Sequence, residues 1–309
     1  MRIAIASSSP VAIPYVEALL ESEHEVAYLI SNPDKETGRG KVIAENSFVS
    51  WASAKNLPVH QPRNSDDLVE LLQKNPVELV LTVAYGVLIK AQALRIPKFG
   101  WLNAHYSVLP RWRGAAPVQY ALMHGDHITG LSIFQLNEGM DTGPIFACQE
   151  LPISPEDDTT SLLKKLSRIG ADSIVALLDR IEAGAQPSPQ SEVGVSFAPK
   201  ISKHEGHLDF HNDCKALDLR HRALRENPGT YVLFREERLR INLMIEAIPF
   251  SDVFESWRPG EIVTWNGELY IKAMDGVFQI LECTPAGKKR MSGADFARGA
   301  RLERGDLVG

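Results

Sequence analysis

Cysteine is scarce: Cys148, Cys214 and Cys283 are three in 309 residues, widely spread and odd in number, which excludes a disulfide framework. A reducing cytoplasm is the expected setting. Long apolar runs are missing too. Nothing approaches the roughly 18 uninterrupted apolar residues of a membrane span, and Met1–Ala6 is too short for a signal peptide and reads as a first buried strand. Charge of one sign is also lacking, since 33 basic against 39 acidic residues leave a net −6. The balance is 17 to 22 through Lys200 and 16 to 17 beyond it. Any nucleic-acid binding must therefore come from local patches rather than mean charge. We expect a monomer with no membrane partner.

Glycine is absent from the turn after the first strand, Ser7-Ser8-Ser9-Pro10, where a dinucleotide fold carries its Gly-x-Gly-x-x-Gly fingerprint, which argues against NAD or FAD there. The Gly38-Arg39-Gly40-Lys41 stretch is no P-loop, because Lys35 and Val42 occupy positions that need Gly and Ser or Thr. It reads either as a mobile basic finger carrying Arg39 and Lys41 or as a solvated loop. The Gly-x-Ser-x-Gly elbow of a hydrolase is missing as well, which leaves Ser107 without the setting of a nucleophile. His204, His207, His211 and Cys214 do not match paired zinc spacings, and the histidines read as surface groups, so no metal is expected.

What is present is an alternation. Strand-like runs at 2–6, 25–31, 77–83, 99–105, 131–136 and 144–153 enclose, in the first half, helical segments at 11–21, 47–56, 65–74 and 115–124, with a long amphipathic helix following at 159–183. This pattern predicts a Rossmann-like, mostly parallel α/β sheet. Residues 185–196 carry two prolines and several small polar residues, as linkers do. Beyond them come a helix near 212–226, strands punctuated by Asn266-Gly267 and Asp275-Gly276, the pairs that favour two-residue hairpins, and a last helix opening at Ser292. We expect a catalytic domain over 1–184, a linker over 185–203, and a smaller, mainly antiparallel, OB-like barrel over 204–309.

The chemistry concentrates at 103–117. Asn103 and His105 are two apart at the end of a strand-like run, so they face the same side. A loop shaped by Pro110, Arg111, Arg113, Gly114 and Pro117 follows, and Asp141 stands in a Met-Asp-Thr-Gly turn after a later strand. Amide, imidazole and carboxylate form a proton-transfer and oxyanion set, in which the carboxylate is expected to hold the imidazole's tautomer and raise its pKa. None is a strong nucleophile, so direct transfer between two bound substrates fits better than a covalent intermediate.

These residues resemble the folate-dependent formyltransferases: Asn103-Ala104-His105, Ser107-Val108-Leu109-Pro110-Arg111-Trp112-Arg113-Gly114, then Asp141-Thr142-Gly143. Pro33-Asp34, Gly38–Lys41, Val83-Ala84-Tyr85-Gly86 and Pro285-Ala286-Gly287-Lys288-Lys289-Arg290 are similar to the methionyl-tRNA branch of that superfamily, almost end to end. The resemblance implies that Asn103, His105 and Asp141 are catalytic. It implies that 10-formyltetrahydrofolate binds near Tyr85, Gly86, the Leu136–Asp141 turn and the Ser107, Val108, Leu109, Pro110 loop. It implies an acceptor amine on charged initiator tRNA that attacks the formyl carbon through a tetrahedral intermediate, for translation initiation. Arg39 and Lys41, with Lys288, Lys289 and Arg290, are the implied tRNA contacts. A sugar-nucleotide amine as acceptor, or a non-catalytic RNA-binding module, are the competing readings. Two departures from the family pattern are Ser7-Ser8-Ser9 and Tyr106, where glycines are usual, and Tyr106 is expected to make the rim of the folate site bulkier.

Overall fold

The computed structural model describes residues 1–37, 42–247 and 256–309. They form two compact units, one of residues 1–118, 127–155 and 161–199, the other of residues 119–126, 156–160 and 200–309.

The first unit is built on a seven-stranded sheet. Its strand order is Ile145–Pro152, Ile128–Gln135, Trp101–His105, Leu79–Val83, Arg2–Ala6, Glu25–Ile30 and Val59–His60. The last five run parallel, and the first two add antiparallel at one edge. Leu79–Val83 is buried at every position, as a strand covered on both faces should be. One face carries Ala4, Ala6, Val80 and Trp101 into a core shared with Leu68, Val69 and Leu72 of the helix Ser65–Lys74. That helix begins where it does because Asn64 accepts from the amides of Asp66 and Asp67 (2.8 and 2.9 Å), whose carboxylates also favour the positive N-terminal end. The long helix Thr159–Glu182 buries Leu162, Leu166, Ile174, Leu177, Leu178 and Ile181 at helical spacing. Gly170 of this helix gives room to Tyr15, whose hydroxyl would lie 1.8 Å from any Cβ there.

Residues 185–199, linker-like in composition, belong to the first unit. Ser188 bridges Ile145, and Phe197-Ala198 pair in parallel with Arg113-Gly114. Small polar and proline residues serve here because the segment lies extended along other backbone, exchanging main-chain hydrogen bonds rather than burying apolar side chains.

The second unit is an antiparallel sheet in the order Thr230–Phe234, Glu237–Ala247, Val277–Pro285, Glu268–Lys272, Ile262–Trp265, with Met291-Ser292 beside Val277–Pro285. Its two edges are closed by the end of the chain. Val308 bridges Phe234, Leu307 bridges Glu261, and Leu233 and Gly309 exchange backbone hydrogen bonds of 2.6 and 2.9 Å. Closure of this kind removes the exposed edge and makes the sheet a barrel. Asn266-Gly267 forms the expected two-residue hairpin, both residues left-handed (φ +47° and +82°). Asp275-Gly276 does not: Lys272 pairs with Val277 across a four-residue loop, Ala273–Gly276, in which Asp275 instead accepts from the Cys214 amide (2.7 Å). The helix Gly293–Ala300 is capped by Ser292, which accepts from Asp295 N (3.1 Å).

Candidate active site

Asn103 and His105 leave the same face of the strand Trp101–His105, beyond Trp101 and its packed core. The parallel neighbour places Thr82 opposite Asn103. The Thr82 hydroxyl lies 3.0 Å from Asn103 Oδ1 and 2.9 Å from the Leu102 carbonyl, which turns the Asn103 amide nitrogen away from Thr82. Thr82 was not singled out from the sequence. Its signal was there, as the lone hydroxyl in the apolar run Leu79-Val80-Leu81-Thr82-Val83. Thr82→Val keeps the shape and removes the orienting bond. If Asn103 works as an oriented donor, this variant is expected to slow turnover by roughly fivefold, the equivalent of about 1 kcal/mol, with KM values unchanged in steady-state assays.

His105 is 5 % exposed. Its Nε2 donates to the Trp112 carbonyl (2.8 Å), which can only accept, so Nε2 carries the hydrogen and Nδ1 is the free proton site. Nδ1 faces Asp141 Oδ2 at 3.7 Å. Burial pulls the imidazole below its ordinary 6.5, while Asp141 and the Trp112 carbonyl pull upward and lose. The sequence-based expectation of a raised pKa is therefore corrected: the carboxylate acts in the expected direction, but desolvation outweighs it. At neutral pH the ring is uncharged and can accept a proton at Nδ1 beside Asp141.

Asp141 arrives by an unexpected route. The strand Ile128–Gln135 runs antiparallel to Trp101–His105, with Gln135 opposite Leu102 and Ser132 opposite His105. The loop after Gln135 thus starts well below the C-terminal edge of the parallel strands and must return across the sheet face to reach His105. Asp141 is left-handed (φ +52°), a conformation costing about 1–2 kcal/mol in a residue other than glycine. Its Oδ2 accepts from the Gly114 amide (2.7 Å). Gly114 itself has φ +124°, and a Cβ there would stand 2.5 Å from the Ala198 carbonyl oxygen.

The Ser107–Pro110 loop is fixed against the strand Ile128–Gln135. Ser132 Oγ donates to the Ser107 carbonyl (2.7 Å) and accepts from the Leu109 amide (3.0 Å), and Ser107 Oγ donates to the Arg111 carbonyl (2.5 Å). Ser107 and Leu109 are buried, Val108 and Pro110 half-buried. Across the site, the loop after Val83 turns through left-handed Ala84 and Gly86 (φ +49° and +71°). The Tyr85 side chain, one of the residues expected at the cofactor, enters the core among Ala4, Tyr28 and Leu136, where burial pushes its pKa up to about 12. Exposed there are Gly86 and the apolar Val87 and Leu88, with Met140 exposed on the Asp141 loop.

Tyr106 does not stand at the rim. Alternation sends it to the opposite face from His105, where it is buried beside Tyr15 and Ser167 and its pKa rises to about 12. Nor is the serine turn a gap. Ser7 N donates to the Ile30 carbonyl, Ser8 Oγ accepts from Asn32 N (3.2 Å), and Ser9 caps the short helix Pro10–Ala12. The Ser8 hydroxyl ties the end of this strand to the segment after Glu25–Ile30, and the Ser7 hydroxyl donates to the Ser9 carbonyl within the turn (3.1 Å), tasks for which glycine has no side chain.

Arg39 and Lys41 lie outside the described residues. In the second unit, Lys288, Lys289 and Arg290 are exposed in the turn between Val277–Pro285 and Met291-Ser292, with Arg290 paired to Glu282. Arg225, Arg235 and Arg298 are paired with Asp158, Asp306 and Asp295. His211 pairs with Asp209 (2.9 Å), while Cys214 is packed into the barrel core, so the histidines at 204–211 do not converge with it. All three cysteines are unpaired, and no helix among the described residues is long and apolar enough to cross a membrane.

Residues 1–178 match the formyl transferase domain family and residues 200–301 the formyl transferase C-terminal domain family. A methionyl-tRNA formyltransferase of Salinispora tropica is 36% identical over 311 residues, covering all of both chains. One of Thermus thermophilus is 37% identical over 312 residues, covering 100% of this chain and 99% of its own. Among solved structures, HypX from Aquifex aeolicus in complex with tetrahydrofolic acid superposes with a TM-score of 0.72 at 18% identity. This chain spans about half of that one, 50%, and the likeness speaks to the fold alone. With both domain families matched in order and end-to-end identity of this size, the chain belongs to the formyltransferases, in the methionyl-tRNA formyltransferase family.

Proposed function

We propose that the protein transfers the formyl group of 10-formyltetrahydrofolate to the free amine of methionyl-initiator tRNA, in the cytoplasm and as a monomer. The observation that carries this reading is the convergence of Asn103, His105 and Asp141 on one sheet face, in a chain alike from end to end to methionyl-tRNA formyltransferases. The folate fits the surroundings. Left-handed Ala84 and Gly86 open backbone at the strand end, and exposed Val87, Leu88 and Met140 offer apolar surface to a flat ring. The cosubstrate supplies an activated formyl carbon; the protein supplies orientation and proton handling, and the reaction needs no metal.

Asn103, its oxygen held by Thr82, turns its amide nitrogen toward the charge that develops on the formyl oxygen. As the amine attacks, its proton passes to Nδ1 of neutral His105, and Asp141 stabilises the imidazolium so formed. The charge on the imidazolium steadies the oxyanion through space, and as the tetrahedral intermediate collapses the bond from the formyl carbon to the folate nitrogen breaks and that nitrogen takes the proton back from Nδ1, releasing tetrahydrofolate. Residues 1–184 carry this chemistry. Residues 204–309 hold the tRNA, with Lys288, Lys289 and Arg290 among the contacts and Arg39 and Lys41 reaching the acceptor end.

The test offers the purified protein 10-formyltetrahydrofolate with either methionyl-initiator tRNA or a panel of amino-sugar nucleotides. Formyl is expected on the tRNA. Labelling of a sugar amine instead would overturn the assignment of acceptor. Because phosphate contacts release counterions, KM for tRNA should rise steeply between low and moderate salt while KM for folate stays level.

A further inference from the structure

We propose that Gln190 is a positioning residue for the reaction, holding the Asp141 loop and the Trp112–Gly114 segment, which carries the hydrogen-bond partners of His105 and Asp141, at their working separation. The inference rests on the proposed formyl transfer for its kinetic part only. Gln190 lies in the segment that composition reads as linker. Its Nε2 donates to two carbonyls of the Asp141 turn, those of Asp141 (2.8 Å) and Gly143 (2.7 Å). Its Oε1 accepts from Arg113 Nε and Nη2 (3.2 and 2.7 Å). Arg113 stands between Trp112, whose carbonyl takes the His105 Nε2 hydrogen, and Gly114, whose amide holds Asp141 Oδ2. One side chain therefore ties together the partners of both members of the proton-handling pair.

The neighbouring residues do the same through backbone. Ser196 Oγ accepts from Trp112 N (3.0 Å) and the Ser196 carbonyl from Arg113 N (2.9 Å), while the Ala198 carbonyl accepts from Ala116 N (3.1 Å). Gln190 differs from them in reaching across to the Asp141 turn. That turn is left-handed at Asp141 and has come back over the sheet from the level of Leu102, so it has little strand pairing of its own to hold it. Beside the Gly114 amide on Asp141 Oδ2 and the Thr142 Oγ1–Asn137 Oδ1 bond within the turn (2.9 Å), two hydrogen bonds from one amide tie the turn to 185–199, and all four polar contacts of Gln190 point to placement rather than to a ligand.

The experiment is a double-mutant cycle on the intact chain with Gln190→Ala and Asp141→Asn. Gln190→Ala is expected to lower kcat about 10–100-fold with KM for folate and tRNA within about threefold of wild type. In the Asp141→Asn background it is expected to change kcat less than about twofold, because a residue acting through the pair has nothing left to position. Multiplicative losses, or wild-type turnover in Gln190→Ala, would overturn the proposal. If Gln190→Ala does not fold, Gln190→Glu keeps the reach and the Arg113 contact but loses both donors. The same kcat loss is expected of it, and unchanged turnover overturns the proposal. A substrate-free readout separates this inference from the acceptor reading. The nitrogen-15 titration of the His105 ring should shift its midpoint by about half a unit or more in Gln190→Ala; an unshifted titration counts against Gln190 whatever the acceptor proves to be.

Discussion

His105→Ala is expected to lower the rate of formyl transfer by about 10²–10⁴-fold, the scale for losing a positioned proton acceptor, while folate and tRNA still bind. The size follows from what nothing else nearby can replace. Asn103 can donate but not accept at its nitrogen, and Asp141 is already engaged by the Gly114 amide. Single-turnover assays with saturating substrates measure the loss, and equilibrium binding of folate to the variant shows that the site survives. Near-wild-type turnover would remove His105 from the chemistry. The pH profile carries an independent signature. Burial holds the His105 pKa below 6.5, so the acid limb of the rate should have its midpoint below that value, activity falling as Nδ1 fills with a proton before the amine can use it. Asp141 opposes the shift, and Asp141→Asn should therefore move the limb to still lower pH as well as reduce the plateau.

The alternation of strands and helices made the first unit's sheet legible, because buried parallel strands must be apolar throughout and their helices amphipathic. Asn103 and His105 were legible for a related reason: the two-residue period fixes which side chains share a face. The same period places Tyr106 on the other face, against Tyr15, rather than at the folate rim. Two features escaped because they depend on non-local pairing. The antiparallel run of Ile128–Gln135 decides where the Asp141 loop begins, and residue order does not encode that direction. The role of 185–199 escaped because extended backbone bonded to other backbone has the composition of a free linker. The four-residue loop at Ala273–Gly276 shows the same limit on a smaller scale, since Asp275 is drawn to the Cys214 amide instead of a hairpin turn.

A second large effect concerns stability in acid. His221, on the helix Cys214–Leu224, is 1 % exposed. Its Nδ1 lies 2.8 Å from Thr230 Oγ1, which donates in turn to the Ile241 carbonyl (3.0 Å), so the hydroxyl accepts from Nδ1–H. That fixes the neutral tautomer and leaves Nε2 as a buried atom with no hydrogen bond. Burial, with Arg225 adding to it and Asp158 opposing, lowers the pKa from 6.5 to about 3. A depressed histidine pKa means that the unfolded chain binds the proton first. The contribution is whole above pH 6.5, declines as pH falls below it, and is exhausted near pH 3, a span of roughly 3.5 units or on the order of 4–5 kcal/mol. His221→Met removes the titration at similar volume, at a cost near neutrality of about 1 kcal/mol for the lost hydrogen bond. Urea unfolding at pH 7 and pH 4.5 should show wild type losing about 2–3 kcal/mol more than the variant over that interval. Equal losses in the two proteins would mean that the imidazole takes up its proton without opening the barrel, and that Asp158, already close to Arg225, swings to meet it.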